Sequence, residues 1–433
     1  MREKIYFIIL MLILPAYSYA QTDIYIRGAG RLIPVAVPQL CVQQGESLAD
    51  KEIPRIISRD LDLSGFFEVK SPDAFIETPG RCVGPEGVNY TDWSVIGVEG
   101  LVRGVVTVQG SRLSIKMYLH DVHRRSMVMG KEYEGDVSLI KKIAHRFANE
   151  VLKHFTGEYG PFGSQIAFSS RVGRFKELFV MDMDGSDVRQ LTNDRGLVVS
   201  PSWKPDASGL VYTSYRSRIP DLFTINASSR AISQITKNDA LELGAKYKRG
   251  QADDGTFLTA LTTGRDSDIV LMGPDGSILR RITSMPGIIN VSPSWSADNS
   301  KIAFCSNRGG GPQIYTMNSD GSDARRISFV TSNYCTSPSW SPRGDKIAYV
   351  CRADGGFNIF VSNADGTAPR QLTSVRNNED PDWSPDSRYI TFASNAKGGV
   401  YNIYMMRDDG SNIRQLTSSR GGDMHPTWSP IAD

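Results

Sequence analysis

Short apolar segments recur along the chain from Ser164 onward, and polar turns separate them. Each apolar triplet precedes an aromatic-rich segment, an Asp-Gly pair, a Leu-Thr-like pair and a Pro-x-Trp-Ser motif. The triplets begin at positions 166, 210, 257, 302, 347 and 390, and the Asp-Gly pairs are Asp184-Gly185, Asp275-Gly276, Asp320-Gly321, Asp365-Gly366 and Asp409-Gly410. The distance from each Asp to the Leu-Thr-like pair is constant, which indicates one repeated structural unit.

Each unit has the pattern of four short antiparallel strands. Segments such as Gln313–Asn318 ("QIYTMN") alternate apolar and polar residues, as a half-buried strand does. Asp-Gly supplies the positive φ that a two-residue hairpin turn requires. The aromatic residues Trp203, Tyr247, Trp295, Trp340, Trp383 and Trp428 recur roughly every 45 residues, the period of a β-propeller blade. The units therefore predict six blades, with the tryptophans wedged between them.

The two ends of this repeat region are expected to meet. Pro426–Pro430 ("PTWSP") has the pattern of an inner strand, but no further strand follows it, so we expect it to pair with Gln165–Ser170. The second unit is degenerate, since "INASSRAI" lacks Asp-Gly and "GAKYKRG" replaces Pro-x-Trp-Ser; the regularity of that blade stays open. We predict an all-β six-bladed propeller over residues 164–433, closed by pairing of its first and last strands.

The region before the repeats has a different pattern. Helical spacing of Ile53, Ile56, Ile57 and Leu61 ends at Gly65, several strand-like segments follow, and Ser138–Phe155 is amphipathic. Residues 21–156 are therefore predicted to form a small α/β domain with a flexible N-terminal arm, and the Gly-rich residues 157–163 a linker. The chain is thus expected to have two domains.

The first twenty residues have the features of a secretory signal peptide. A short basic start precedes the apolar run Ile5–Leu14. Ser18 and Ala20 then place small residues at the positions that determine cleavage, which predicts cleavage between Ala20 and Gln21. The alternative is an uncleaved anchor, but this run is shorter than the ~20 apolar residues that span a bilayer. The residue directly after the cleavage site is Gln21 and not Cys, and we expect a soluble exported protein without direct membrane insertion.

Composition narrows the class of partner. The chain has 433 residues and a formal net charge of +2, with acidic and basic residues interspersed. A nucleic-acid-binding protein would show clustered Lys and Arg, so we expect no nucleic-acid partner.

Export makes disulfides plausible among the five cysteines. Counting back from the turn at Pro342–Asp345 places Cys335 within one residue of the position opposite Cys351, which suggests a disulfide; two buried thiols are the alternative. Cys41 and Cys82 are the analogous pair in the first domain. Cys305 would then be the unpaired thiol.

Catalytic and metal-binding patterns are sparse. The repeat region has one histidine, His425, too few for a histidine metal site, and it contains no G-x-S-x-G motif. The stretch Asp182–Asp187 resembles the start of a calcium loop, but Asn193 stands where the bidentate Glu belongs, so a turn is the better interpretation. We expect no catalytic residues, no metal and no cofactor.

The residues just before each Pro-x-Trp motif are the candidate binding site. They are expected to enter the central channel of the ring from one face, where their polar, varied character suits recognition of a protein or peptide. The alternative is that they only end the strands. These residues are Val199, Ser200, Leu243, Gly244, Val291, Ser292, Thr336, Ser337, Glu379, Asp380, Met424 and His425.

The combination of signal peptide, α/β domain, the junction "TGEYGPFGSQIAFSSR", six repeats and the final "PTWSP" resembles the TolB family. The resemblance implies a non-enzymatic periplasmic scaffold of the Tol–Pal system, which supports outer-membrane integrity and envelope constriction at division. It implies that the lipoprotein Pal docks over the channel on the residues named above, with Ser292, Ser337 and His425 the leading choices.

The same resemblance implies that TolA docks on the start of the mature chain, which here is Gln21, Thr22, Asp23, Ile24, Tyr25 and Ile26 within Gln21–Gly30. We expect a monomer before partner binding. The rival hypothesis is a secreted six-bladed hydrolase, lactonase-like or peptidase-like, whose channel site would use carboxylates such as Glu379 and Asp380.

Overall fold

The computed structural model describes residues 31–45, 48–82, 84–217, 219–237, 240–250 and 254–431. The expected signal peptide, its cleavage site at Ala20 and Gln21, and the N-terminal arm lie outside these residues. Within the described part of the chain, no helix has the length and apolar character needed to cross a membrane.

The first domain is a mixed sheet covered by two long helices. Its strands and helices in chain order are β1 Ile33–Ala36, β2 Cys41–Gln44, α1 Ala49–Ser64, β3 Phe67–Val69, α2 Tyr90–Val95, β4 Gly100–Gln109, β5 Arg112–Asp121, β6 Ser126–Asp136 and α3 Ile140–Thr156. Short 3-10 helices occupy Pro72–Ala74, Pro85–Gly87 and Val137–Leu139. The sheet order is β3-β1-β4-β5-β6, and β2 also pairs with β4. The α/β prediction is confirmed.

The apolar stripes of α1 and α3 explain their packing. The α1 stripe, with Ile53, Ile57 and Leu61 fully buried, meets the α3 residues Phe147 and Val151 in one core cluster with the sheet. Gly65 ends α1 in the left-handed region with φ 65°, where a residue without Cβ is favoured.

Six four-stranded antiparallel sheets follow, which confirms the predicted propeller. The strands are β7 Gln165–Val172, β8 Phe175–Asp182, β9 Arg189–Gln190, β10 Val198–Trp203, β11 Gly209–Ser214, β12 Asp221–Asn226, β13 Ile232–Gln234, β14 Leu241–Tyr247, β15 Phe257–Thr263, β16 Asp266–Met272, β17 Ile278–Arg281, β18 Asn290–Trp295, β19 Lys301–Ser306, β20 Gln313–Asn318, β21 Arg325–Arg326, β22 Cys335–Trp340, β23 Lys346–Ala353, β24 Gly356–Asn363, β25 Arg370–Gln371, β26 Asn378–Trp383, β27 Tyr389–Ser394, β28 Asn402–Arg407, β29 Arg414–Gln415 and β30 Met424–Trp428.

The blades are numbered here from the start of the repeat region. Blade 1 is β30-β7-β8-β9, and blades 2 to 6 are the successive sets β10–β13, β14–β17, β18–β21, β22–β25 and β26–β29. Blade 1 confirms the ring closure, since Trp428 pairs with Ile166 and Thr427 with Ala167. The degenerate segments fall in blades 2 and 3, and both blades keep four strands.

The Asp-Gly turns differ from the two-residue hairpin that the dipeptide suggested. At Asp184-Gly185, Asp182 N donates to Ser186 O, and Gly185 N donates to Asp182 O. Only the glycine has positive φ, 84°. The loop is therefore one residue longer and ends in a glycine bulge, and Asp184 stabilises it by accepting a hydrogen bond from Ser186 N.

The tryptophans lie at the boundaries between blades, as the repeat predicts. Trp203 belongs to a core cluster with Leu178 and Val180 of blade 1, and its indole donates to the carbonyl of Thr427 in that blade. Trp383 likewise packs against blade 5 and donates to Ser339 O. Each blade thus buries the inner edge of its neighbour.

The first domain packs on one end of the propeller. The Tyr389 hydroxyl donates to Ser64 O at 2.9 Å, and Arg407 Nη2 donates to the same carbonyl at 2.9 Å. Residues of both domains form one continuous core cluster. Since Tyr389 begins β27 and Arg407 ends β28, the domain covers the end of the ring where the inner strands finish.

Candidate functional site: the propeller channel

The first strand of each blade lines a central channel. These inner strands (β10, β14, β18, β22, β26 and β30) contact one another in a closed ring. Each runs from an open end, called the mouth here, toward the end covered by the first domain. The register shows this direction, because Val198 at the start of β10 pairs with Ser214, next to the loop between the second and third strands.

A β-bulge interrupts all six inner strands at the same place. The register shifts between Val199 and Ser202, for example, and the corresponding shift occurs in every blade. The bulge residue has positive φ in each strand, and these residues are Ser200, Gly244, Ser292, Ser337, Asp380 and His425. Pro follows it in five blades and cannot donate to the strand ladder, which fits the local break in pairing.

The six bulge residues line one cavity of about 110 Å³ at the centre of the ring. The prolines that follow them, together with Lys246, Ser339 and Asp382, complete its wall. These six residues belong to the set that the sequence predicts at the channel, and the fold brings them together. The bulge in each inner strand directs them toward the channel.

The other half of the predicted set, the residue before each bulge, lies beside the channel. Val291 packs against the core between blades 4 and 5, and Met424 packs against the core shared with the first domain. Val199, Thr336 and Leu243 pair with the second strand of their blades. These residues are half-buried and support the bulge residues.

Two carboxylates of blade 6, Glu379 and Asp380, form an acidic cluster at one side of the mouth, beside His425 of blade 1. Asp380 Oδ2 lies 3.8 Å from His425 Nε2 and accepts a hydrogen bond from His425 N at 3.3 Å. Glu379 accepts a short hydrogen bond from the Tyr401 hydroxyl. Burial, together with the charge of Asp380, raises the pKa of Glu379, although the Tyr401 hydrogen bond acts in the opposite direction.

Asp382 connects three inner strands deeper in the channel. Its Oδ1 accepts a hydrogen bond from Ser339 Oγ at 3.0 Å, and its Oδ2 accepts bonds from Trp428 N at 2.9 Å and Thr427 Oγ1 at 3.1 Å. Lys246 stands at the equivalent position of blade 3, three blades away across the ring. The channel is therefore polar and has opposite charges on opposite walls.

Arg249 crosses the channel at the end nearer the first domain. Its Nη2 donates to the carbonyl of Trp340 at 2.6 Å, and its backbone exchanges hydrogen bonds with the Asn299 side chain. Burial lowers the pKa of Arg249, and the charge of Asp382 opposes that effect. The sequence gave no signal for this contact, because Arg249 lies in the degenerate segment "GAKYKRG".

The cysteines form two disulfides, Cys41–Cys82 in the first domain and Cys335–Cys351 in blade 5. Cys335 and Cys351 are register partners in β22 and β23, so the bond staples an inner strand to its neighbour near the mouth. Cys305 is free and buried, and burial raises its pKa to about 11. A thiol with so high a pKa is a weak nucleophile.

Several polar side chains of the channel are engaged with groups of neighbouring strands. Within the described residues, no three His, Cys, Asp or Glu side chains are grouped so that they could hold a metal ion. The Asp382 carboxylate is fully engaged by strand donors, and the Asp380–His425 contact is too long for a hydrogen bond between side chains. The bulge residues form a ring of five polar side chains and one glycine, supported by the inner strands.

Both domains of the chain match models of one protein family. A family model described as "TolB beta propeller domain" matches residues 152–432, and one described as "TolB amino-terminal domain" matches residues 23–128. The crystal structure of TolB from Acinetobacter baumannii superposes with a TM-score of 0.78 and 22% identity over 93% of this chain and 97% of that one, which supports the fold.

Curated relatives match over part of their length. A protein TolB homolog of Chlorobium luteolum is 35% identical over 66% of this chain and 64% of its own. A Tol-Pal system protein TolB of Anaeromyxobacter dehalogenans is 34% identical over 61% of this chain and 60% of its own. The matched region is thus less than two thirds of either relative. Since the propeller model alone spans more than half of the sequence, the chain belongs to the TolB family.

Proposed function

We propose that this protein is a non-enzymatic periplasmic scaffold of the Tol–Pal system that binds the lipoprotein Pal over the channel mouth. The observation that carries the proposal is the ring of six bulge residues around the channel, five of which have polar side chains. The supporting set is Val199, Ser200, Val291, Ser292, Thr336, Ser337, Glu379, Asp380, Met424 and His425. Relatives named as Tol-Pal system proteins support the assignment to this system.

The surroundings of the mouth also suit a protein partner. The loops that lead from one blade to the next expose Leu197, Ile289, Phe329 and Val375, with Phe329 62% and Val375 59% exposed. Large apolar side chains exposed beside polar groups are a feature that protein-binding surfaces share. The first domain covers the opposite end of the ring, so it leaves the mouth accessible.

TolA is the second partner in this proposal. It would dock on the N-terminal arm, residues Gln21, Thr22, Asp23, Ile24, Tyr25 and Ile26, which lie outside the described part of the chain. The arm leads into β1, and the β1 sheet shares its core with the propeller. Occupation of one site could therefore bias the other through the packed domain boundary.

The test is binding of purified Pal to ring variants. Asp380 shows that the bulge backbone accepts an Asp side chain, so Ser292→Asp and Ser337→Asp add charge without demanding a new backbone conformation. We expect each to weaken Pal binding about tenfold or more in isothermal titration calorimetry. Ser229→Asp, in an exposed turn at the far end of blade 2, is the matched control. If all variants bind Pal with equal affinity, the proposal that Pal docks on the channel mouth is wrong.

The rival function is hydrolysis at the mouth by Glu379 and Asp380. Its one structural support is the raised pKa of Glu379 beside Asp380, a combination that catalytic carboxylates share. Turnover of lactone or peptide substrates that disappears in Glu379→Gln would favour this alternative over the scaffold.

A further inference from the structure

The mouth of the propeller carries a series of basic residues, although the whole chain is nearly neutral. At the mouth, every blade has a basic residue in or next to the loop between its second and third strands: Arg174, Arg216, Arg265, Arg308, Lys397 and, at the end of β23, Arg352. All but the half-buried Arg308 are exposed. The Asp-Gly turns join the third and fourth strands and place their carboxylates at the other end. The mouth therefore has a basic rim, and the acidic cluster of blade 6 lies inside it.

A groove between blades 4 and 5 opens on this rim. Its volume is about 690 Å³, and its lining is polar: Gly309, Gly311, Gln313, Arg326, Asn333 and Arg352, with Thr331 and Ser332. Volumes of this order are typical of sites that hold a ligand or a short segment, and exceed what a single small ion needs. A Cβ at Gly311 would lie 2.5 Å from Asn333 O, so glycine is what lets the two loops approach and shape the groove.

The two guanidinium groups of the groove have no acidic partner. Among the described residues, no carboxylate lies within ion-pair distance of Arg326 or Arg352, whereas neighbouring Arg325 is paired with Asp323. The Arg326 Nε donates to Ser328 O at 3.0 Å, which fixes the side chain and leaves its two terminal nitrogens available. Gln313 is held by Ser332 O. Two guanidinium groups in one groove, one of them held in place by a hydrogen bond, constitute a site for oxyanions.

We propose that this groove binds carboxylate side chains of an acidic segment on the protein that docks over the channel. The inference rests on the proposed scaffold function and adds the chemistry of the partner. Guanidinium groups pair with carboxylates in bidentate geometry, and the surrounding basic rim attracts an acidic surface during encounter. The exposed side chains of Phe329 and Tyr334 border the same loop and supply apolar contacts for such a segment.

The direct test uses a fluorescein-labelled hexaglutamate peptide and the full chain at low ionic strength. Anisotropy should report saturable binding, and hexaglutamine should bind about tenfold more weakly. The double variant Arg326→Gln, Arg352→Gln should weaken hexaglutamate binding about tenfold and reduce its salt dependence. Arg325→Gln removes an adjacent guanidinium outside the groove and should stay near wild type. Equal binding by the double variant, or equal binding of hexaglutamine, would overturn the proposal.

Inorganic phosphate and free glutamate separate a peptide site from a small-ion site. Each should displace hexaglutamate only at concentrations far above that of the peptide, since neither spans the groove. Displacement by phosphate at concentrations comparable to the peptide would mean a small-anion site and would overturn the proposal. Unchanged melting temperatures of the variants establish that the fold is intact.

Pal binding to the same variants keeps the two proposals distinguishable. If wild type binds Pal and the Arg326, Arg352 double variant binds it equally well, the groove inference fails while the scaffold function stands. If wild type does not bind Pal, the scaffold function fails, and the hexaglutamate measurement still decides whether the groove is an acidic-segment site.

Discussion

The Nδ1 atom of His145 lies 2.7 Å from Asp60 Oδ2 and joins α3 to α1 in the interior of the first domain. Burial alone would lower the pKa of His145, but the hydrogen bond and charge of Asp60 outweigh burial, so the pKa of His145 is raised. The folded protein therefore binds this proton more tightly than the unfolded chain. The resulting stability is fully present below the ordinary His pKa of about 6.5 and is lost as pH rises through the raised value.

Replacing His145 by Gln should remove this pH dependence. Urea unfolding of wild type should show the free energy of unfolding falling as pH rises above about 6.5, and the H145Q curve should be flatter over that range. Asp60→Asn, which leaves the imidazole without its charged partner, should cost about 3 kcal/mol at pH 6. His123→Gln is the control, because His123 lies in an exposed turn. Parallel pH profiles for wild type and H145Q would contradict this account.

His120 is expected to make the same domain acid-sensitive. It is fully buried in β5, its Nδ1 lies 3.0 Å from the Tyr90 hydroxyl, and burial, aided by the charge of Arg103, lowers its pKa to about 4. A lowered His pKa gives stability that is present above about 6.5 and lost as pH falls toward 4, by about 3 kcal/mol at most.

Hydrogen exchange can locate this effect. At pH 5, corrected for intrinsic exchange rates, amides of β4 and β5 should lose protection relative to pH 7, while the inner strands of the propeller keep theirs. His120→Gln should lower stability at pH 7 yet remove the loss of protection at pH 5. A loss of protection at pH 5 that persists in H120Q would assign the acid sensitivity to another group.

The fold could be predicted to an unusual degree because its signal is repeated. Six copies of one pattern fixed the number of blades, and the absence of a strand after "PTWSP" predicted that β30 would pair with β7. The residues before Pro-x-Trp were also predictable as a set, since the same position of every unit falls at the same place in the ring. The bulge itself was not predicted, because it depends on strand register.

Features outside the repeat could not be predicted. Arg249 lies in the degenerate unit, and its bond to Trp340 O joins residues 91 positions apart that only the closed ring brings together. The length of the Asp-Gly turns was predicted wrongly, since the dipeptide fixes the positive φ but not the hydrogen-bond register. The groove combines Arg326 of β21 with Arg352 of β23, which belong to different blades, and neither residue is marked by a motif of its own.

Asp382 should act as a structural link between inner strands. Its carboxylate accepts hydrogen bonds from blades 5 and 1, so Asp382→Ala leaves buried donors on Ser339, Thr427 and Trp428 without their acceptor. We expect a loss of about 3 kcal/mol in the free energy of unfolding. Asp382→Asn keeps one acceptor oxygen and should lose less.

Guanidinium chloride unfolding, followed by tryptophan fluorescence, tests whether Asp382→Ala loses more stability than Asp382→Asn. The inner-strand tryptophans make this signal report on the propeller. Asp365→Ala is a suitable control, since Asp365 is an exposed turn residue that stabilises only its own loop. Equal stability of D382A and D365A would show that the channel carboxylate has no linking role.

Removal of the last ten residues, Met424–Asp433, should open the ring. The chain would lose the whole of β30, so Gln165 N would lose its bond to Ser429 Oγ at 2.8 Å, and the Trp203 indole its bond to Thr427 O at 3.2 Å. The edge of β7 would then be exposed to solvent, and an unpaired strand edge invites association with other chains. We expect a lower melting temperature, faster proteolysis in the loops of blades 1 and 2, and concentration-dependent oligomers in light scattering.

Two controls separate ring opening from a simple loss of residues. Removal of residues 431–433 alone leaves β30 in place and should preserve the melting temperature. Adding the peptide Asp423–Asp433 in excess to the truncated chain should restore part of the lost stability by mass action, because β7 offers a complete edge for it. A truncated chain that melts, resists protease and stays monomeric as wild type does would show that blade 1 is stable with three strands and that closure contributes little.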